Sequence, residues 1–133
     1  MAESKLRSLS VDFSVNVVKM CDGIKGHHSL VNQLERSATS IGANIHEANY
    51  AQSKADFVAK LQISLKECYE TEYWLELFIK SGILEPETAK VLYAQMRYYK
   101  KTPHLLHQHR KAKLAVKRTV LPTKLNNPET SHS

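Results

Sequence analysis

All four prolines, Pro86, Pro103, Pro122 and Pro128, fall after residue 85, so nearly two thirds of this chain lack the residue that most strongly breaks a helix. That long segment is free to be almost entirely helical. Three of the four glycines, Gly23, Gly26 and Gly82, stand where apolar periodicity lapses, as expected when glycine ends helices.

The apolar spacing between these breaks predicts four helices. Leu9, Phe13, Val17, Met20 and Ile24 step by three or four, which places them on one stripe of a helix over about 9–24. After Gly26-His27-His28, a second stripe runs through Leu30, Leu34, Ser37, Ile41, Ile45 and Ala48, with Ser29 as the expected N-cap of a helix over about 29–49. Ser53 and Asp56 have the spacing of an N-cap and its N3 acid. Phe57, Leu61, Leu65, Cys68, Leu75 and Ile79 then continue a long third helix to Ser81-Gly82. Glu85-Pro86-Glu87 opens the fourth, whose core stripe begins Leu92, Met96, Tyr99. Pro103 interrupts that helix before Leu106 and Leu114, and a kink or break is expected there. With no alternating strand pattern, the fold class is all-α: an antiparallel up-down-up-down four-helix bundle over 1–118, followed by a disordered tail over 119–133.

At 133 residues the chain suits one domain. Cys21 and Cys68 form no C-x-x-C pair and read as small buried hydrophobes rather than a disulfide framework or thiolate metal site. The polar opening MAESKLRSLS lacks the apolar core of a secretory signal, and no apolar run approaches the roughly 18 residues of a membrane span. A cytoplasmic protein without a membrane partner is expected.

Charge is unevenly distributed. Residues 1–87 hold nine basic and twelve acidic side chains, a balance of −3, whereas residues 88–133 hold ten basic and one acidic, a balance of +9. Eight cations, Arg97, Lys100, Lys101, Arg110, Lys111, Lys113, Lys117 and Arg118, fall in one acid-free stretch interleaved with Tyr98, Tyr99, His104, His107 and His109. Such a patch can neutralise phosphates while exposed rings stack on unpaired bases, so RNA or DNA is the partner it favours; a solvated helix face is the competing reading.

No chemistry-bearing motif emerges. Glycine-rich phosphate loops, a nucleophile elbow and H-E-x-x-H are lacking, and no glutamate of the four helical segments has a histidine three positions later as an inward di-iron pair requires; Glu129 and His132 have that spacing only in the tail. His27 and His28 are clustered, as are His104, His107 and His109, but the latter three have no nearby acid or thiol and are a weak metal signal. The expectation is a nonenzymatic protein without cofactor or metal.

Two polar residues stand where apolar ones are expected. Asn44 lies beside the Ile41–Ile45 stripe, and Glu72 takes the step between Cys68 and Leu75. A buried network is predicted in which Glu72 is hydrogen-bonded by Asn44 or another polar group, such as Arg36 or a side chain on the first helix; an acid/base site is the sharper alternative. The small residues Ser37, Ala38, Thr39, Ser40, Gly42 and Ala43 are read as packing rather than as a ligand site. Ile63, Trp74 and Phe78 form a second apolar stripe on the third helix, and Val11, Val15 and Val18 do so on the first. Subunit contacts are their expected destination, against a broad buried face within one protomer.

The segments SIGANIHE (40–47), SKADF (53–57) and SLKECYETEYWL (64–75) together resemble the bacterial four helix bundle protein family, also called the large-subunit ribosomal RNA intervening-sequence protein family. The likeness runs from about residue 9 to residue 100. It implies a bundle assembling as a ring-shaped homopentamer with no established enzymatic activity. Relatives include the accessory variability determinant of diversity-generating retroelements, a basic pentamer that binds a reverse transcriptase and nucleic acid. A reverse transcriptase or another protein is therefore a further partner the resemblance implies. Pro103 and the basic C-terminus lie outside the shared motifs.

Overall fold

A computed structural model describes residues 2–102 together with 105, 107, 110, 111 and 113–118, with side chains from Lys5 onward. The expected break at Pro103, His104, Leu106, His109 and the tail over 119–133 lie outside the described residues.

Four helices occur in order: α1 (Ala2–Asp22), α2 (His28–Ala48), α3 (Lys54–Lys80) and α4 (Pro86–Lys100). Each packs on its neighbours in sequence and α4 returns to α1, so the four close into a ring of helices whose most extensive interface is α2 on α3. Connections of five residues each make successive helices antiparallel. No strand occurs among the described residues.

Local chemistry explains most of the boundaries. The Ser53 hydroxyl accepts from the Asp56 backbone N–H at 3.1 Å and caps α3. At its far end Gly82 adopts φ +77°, and the chain folds back so that Ile83 and Leu84 N–H both bond to the Phe78 carbonyl, at 2.9 and 3.1 Å. Pro86 occupies the first turn of α4, where a missing N–H costs nothing. Two starts differ from expectation. α1 begins at Ala2, a full two turns before Leu9, because Ala, Glu, Lys, Leu and Arg are strong helix formers and Leu6 packs against the core. α2 begins at His28 behind a left-handed His27 (φ 54°, ψ 39°) with no side-chain cap, so Ser29 lies inside the first turn rather than capping it.

The core is filled by Phe13, Val17 and Cys21 from α1, Leu34, Ile41 and Ile45 from α2, Leu61, Leu65, Leu75 and Phe78 from α3, and Leu92, Met96 and Tyr99 from α4. Phe78, expected on the surplus stripe with Ile63 and Trp74, is fully buried here. The reason is the width of the α3 face: wedged against α2 on one side and α4 on the other, it buries Glu67, Thr71 and Phe78 as well as the Leu61–Leu65–Cys68–Leu75 row. Both cysteines are free and buried, and burial pushes each thiol up to about 12.

Candidate nucleic-acid interface

α4 carries its charges into its last turn, where cations face the negative end of the helix dipole. Arg97, Tyr98 and Lys101 are exposed. Helix then recurs beyond Thr102: Leu105, His107, Arg110, Lys111 and residues 113–118 are helical. Leu105 is completely buried in the bundle core, whereas Arg110, Lys111, Lys113, Lys117 and Arg118 are all exposed. One apolar anchor thus ties a cationic surface segment to the end of the bundle.

Lys100 does not share that exposure. Its Nζ donates to both carboxylate oxygens of Glu72, at 2.7 and 2.8 Å, and sits 4.9 Å from the centre of the Tyr69 ring, leaving its side chain 16% exposed. It is committed within the protomer and is not a free phosphate ligand. Tyr99 points inward, and burial pushes its phenol well above the ordinary range. Its hydroxyl meets Ser64 Oγ, which itself donates to the Ile41 carbonyl at 3.0 Å. Because that bond uses the serine proton, Tyr99 is the donor to Ser64. Of the two tyrosines in the basic stretch, only Tyr98, 53% exposed, offers a ring to solvent.

The predicted Asn44–Glu72 pair does not form. Asn44 Nδ2 bonds back to the Ser40 carbonyl at 2.8 Å on its own helix, and Glu72 lies half-buried at the α3–α4 seam beside Lys100. A seam position lets a lysine from the neighbouring helix neutralise the carboxylate, which no inward placement opposite Asn44 allows. The buried network is built instead from hydroxyls. Thr71 Oγ1 lies 3.0 Å from Ser37 Oγ and 2.8 Å from the Glu67 carbonyl, and Ser37 Oγ donates to the Leu34 carbonyl at 3.1 Å. Ser64 and Thr71, seven residues apart and facing the small residues of α2, are the sequence signal for it. Arg36 pairs not with Glu72 but with Glu67, at 3.1 Å, and with Glu70. Among the described residues no group of three histidines, cysteines or carboxylates could hold a metal.

Apolar surface gathers on α1. Val11, Val15 and Val18 are 48%, 44% and 40% exposed, and with Gly42 and Ala43 of α2 they line an open groove of about 550 Å³. Arg7 and Lys19 stand at its two ends, Arg7 Nε bonding to His46 Nδ1 at 3.1 Å. On α3, Ile63 is exposed and Trp74 half-buried, so those two remain available at the surface while Phe78 does not. No described helix is long and apolar enough to cross a membrane.

This arrangement of helices has known counterparts. A family profile for the 23S rRNA-intervening sequence protein matches residues 3–103. A crystal structure from Bacteroides thetaiotaomicron, described as a protein of unknown function from the S23 ribosomal protein family, is 39% identical and superposes with a TM-score of 0.67 over 72% of this chain and 92% of that one. No curated protein matches the sequence. The profile spans α1 to the end of α4, the same four helices that close the core, and the chain belongs to the 23S rRNA-intervening sequence protein family.

Proposed function

We propose that this chain is a nonenzymatic, homo-oligomeric bundle, a ring-shaped pentamer as the family resemblance implies, that binds RNA or DNA through its basic C-terminal third. The observation that carries this reading is the set of seven exposed cations, Arg97, Lys101, Arg110, Lys111, Lys113, Lys117 and Arg118, in a stretch with no acid. Positive side chains without local counter-charge attract polyanions, and binding releases the counterions condensed on the phosphates. The family's association with a ribosomal RNA element supports RNA as the first ligand to try. Exposed valines on α1 supply the apolar contact that self-association needs.

Fluorescence anisotropy of a labelled RNA against salt tests the reading. The apparent affinity is expected to fall with salt, with a log–log slope of roughly 0.7 per phosphate contacted on a single strand. Replacing Arg110, Lys113 and Lys117 together by glutamate should reduce both affinity and slope, since these exposed side chains leave the core untouched. No binding by an intact oligomer would overturn the proposal. The exposed valine row would then favour a protein-interaction scaffold, in which the cations serve solubility or an acidic partner.

A further inference from the structure

The basic end of the molecule contains a cleft that the phosphate reading leaves unused. Between α1 and α4 a cavity of about 370 Å³ opens, lined by Leu9 and Phe13 of α1 and by Val91, Ala94, Gln95 and Tyr98 of α4. Its walls are almost wholly apolar, and its size falls within the range of small-molecule sites, about 300–1,000 Å³. Gln95 and Ser10 supply the polar exceptions, and both are committed: Gln95 Oε1 accepts from Asn16 Nδ2 at 3.1 Å, and Ser10 Oγ donates to the Arg7 carbonyl at 2.6 Å.

What surrounds the cleft identifies its occupant. Along α4, Val91, Ala94 and Tyr98 recur at helical spacing on the lining face. Lys90, Arg97 and Lys101 recur at steps of seven and four on the adjoining face, and all three are exposed, Lys90 in a surface pair with Glu87 at 4.0 Å that a phosphate can exchange for. A row of cations therefore runs beside an apolar slot, with Arg97 and Lys101 about 6 Å apart along the axis. A peptide helix without acidic side chains, or a second copy's valine face, complements the slot but not the row. A nucleotide complements both, having a flat base with apolar faces and an anionic backbone.

Resting on the nucleic-acid reading above, we infer that the α1–α4 cleft receives an unpaired nucleobase while Lys90, Arg97 and Lys101 follow the flanking phosphates, so that the protein selects single strands over duplex. The exposed Tyr98 ring forms the wall on which the base stacks. Bases paired and stacked within a duplex cannot enter such a slot without leaving the helix.

The test uses the full chain and three labelled ligands of equal length: an unstructured single-stranded RNA, an RNA duplex, and a single strand with the same phosphates but abasic sugars. The single strand is expected to bind about tenfold or more tightly than either of the others. Ala94→Leu, which fills the slot from an exposed position, should remove that preference and leave duplex affinity unchanged. Tyr98→Ser should do the same and serves as the second variant should Ala94→Leu fail to melt like the parent. Equal binding of all three ligands, unchanged by either substitution, overturns this inference and leaves the phosphate reading standing. Binding of none by an intact oligomer overturns both. A change of assembly mass in Ala94→Leu makes the cleft an interface between copies and overturns its assignment to a base.

Discussion

At Glu70 two donors converge on one carboxylate oxygen: Trp74 Nε1 at 3.0 Å and Arg36 Nη2. The indole hydrogen bond first, and then the guanidinium, hold this carboxyl below its ordinary value of 4.5. A carboxylate whose pKa is depressed by folding contributes stability that is fully present above the unfolded value and is lost as pH falls through the folded one. Trp74 is the single tryptophan, so its fluorescence reports directly on this oxygen. Its pH titration should show a midpoint below 4.5, and Arg36→Gln should raise that midpoint; a midpoint at or above the free-glutamate value would refute the arrangement. The urea midpoint of the parent should fall as pH drops below 4.5, and Glu70→Gln should flatten that decline. None of this was legible in the sequence. The chain offers Glu67, Glu70 and Glu72 within six residues, and only the packed register decides which one meets Arg36 and which meets Lys100.

Elements were more legible than contacts because their signals are local. The Ser53 cap with its Asp56, the Gly82 stop and the Pro86 start depend on a few neighbouring residues, and all three lie where the sequence puts them. The assignment of faces was less so, since periodicity gives the direction of a buried stripe and not its width. α3 illustrates this: flanked by two helices, it buries Phe78, which a single narrow stripe assigns to the surface. Helix approach is set by small residues in the same way. A Cβ on Gly42 would meet the Cβ, carbonyl oxygen and Oγ of Ser10 at 3.3 Å, so glycine lets α1 and α2 come together there. Two effects then compete in Gly42→Ala: helix propensity gains about 1 kcal/mol, and crowding against backbone takes back a similar amount. That variant should melt within a few degrees of the parent. Gly42→Leu has no such compensation, and overpacking should cost about 1–3 kcal/mol, read as a lower urea midpoint. A Leu variant as stable as the parent would show that α1 is free to move away from α2.

For the whole molecule, the two segregated surfaces determine how binding and assembly depend on each other. Acids outnumber bases up to residue 87 and the excess cations lie beyond it, so one protomer has a basic end and, on α1, an apolar valine row. The valine row was legible because three of the four valines in residues 11–18 fall outside the Leu9–Phe13–Val17 stripe. The cleft was not, since it is shaped by two helices, α1 and α4, with 63 residues between them in the chain. If copies associate through the valines, each assembly displays the cationic surface several times, and weak contacts to one polyanion become intramolecular after the first. Val15→Glu places a charge in the middle of that row at an exposed position, so the bundle itself should fold unchanged. Light scattering should then give a monomer mass with the parent's helical circular dichroism. Its affinity for a long RNA should fall by tenfold or more, while its affinity for an RNA short enough to touch one protomer should stay the same. A monomer that binds the long RNA as tightly as the assembly would remove avidity from the mechanism. A variant that keeps the parent's mass would move the subunit contact off α1, and Ile63 and Trp74 on α3 would be the next apolar surface to charge.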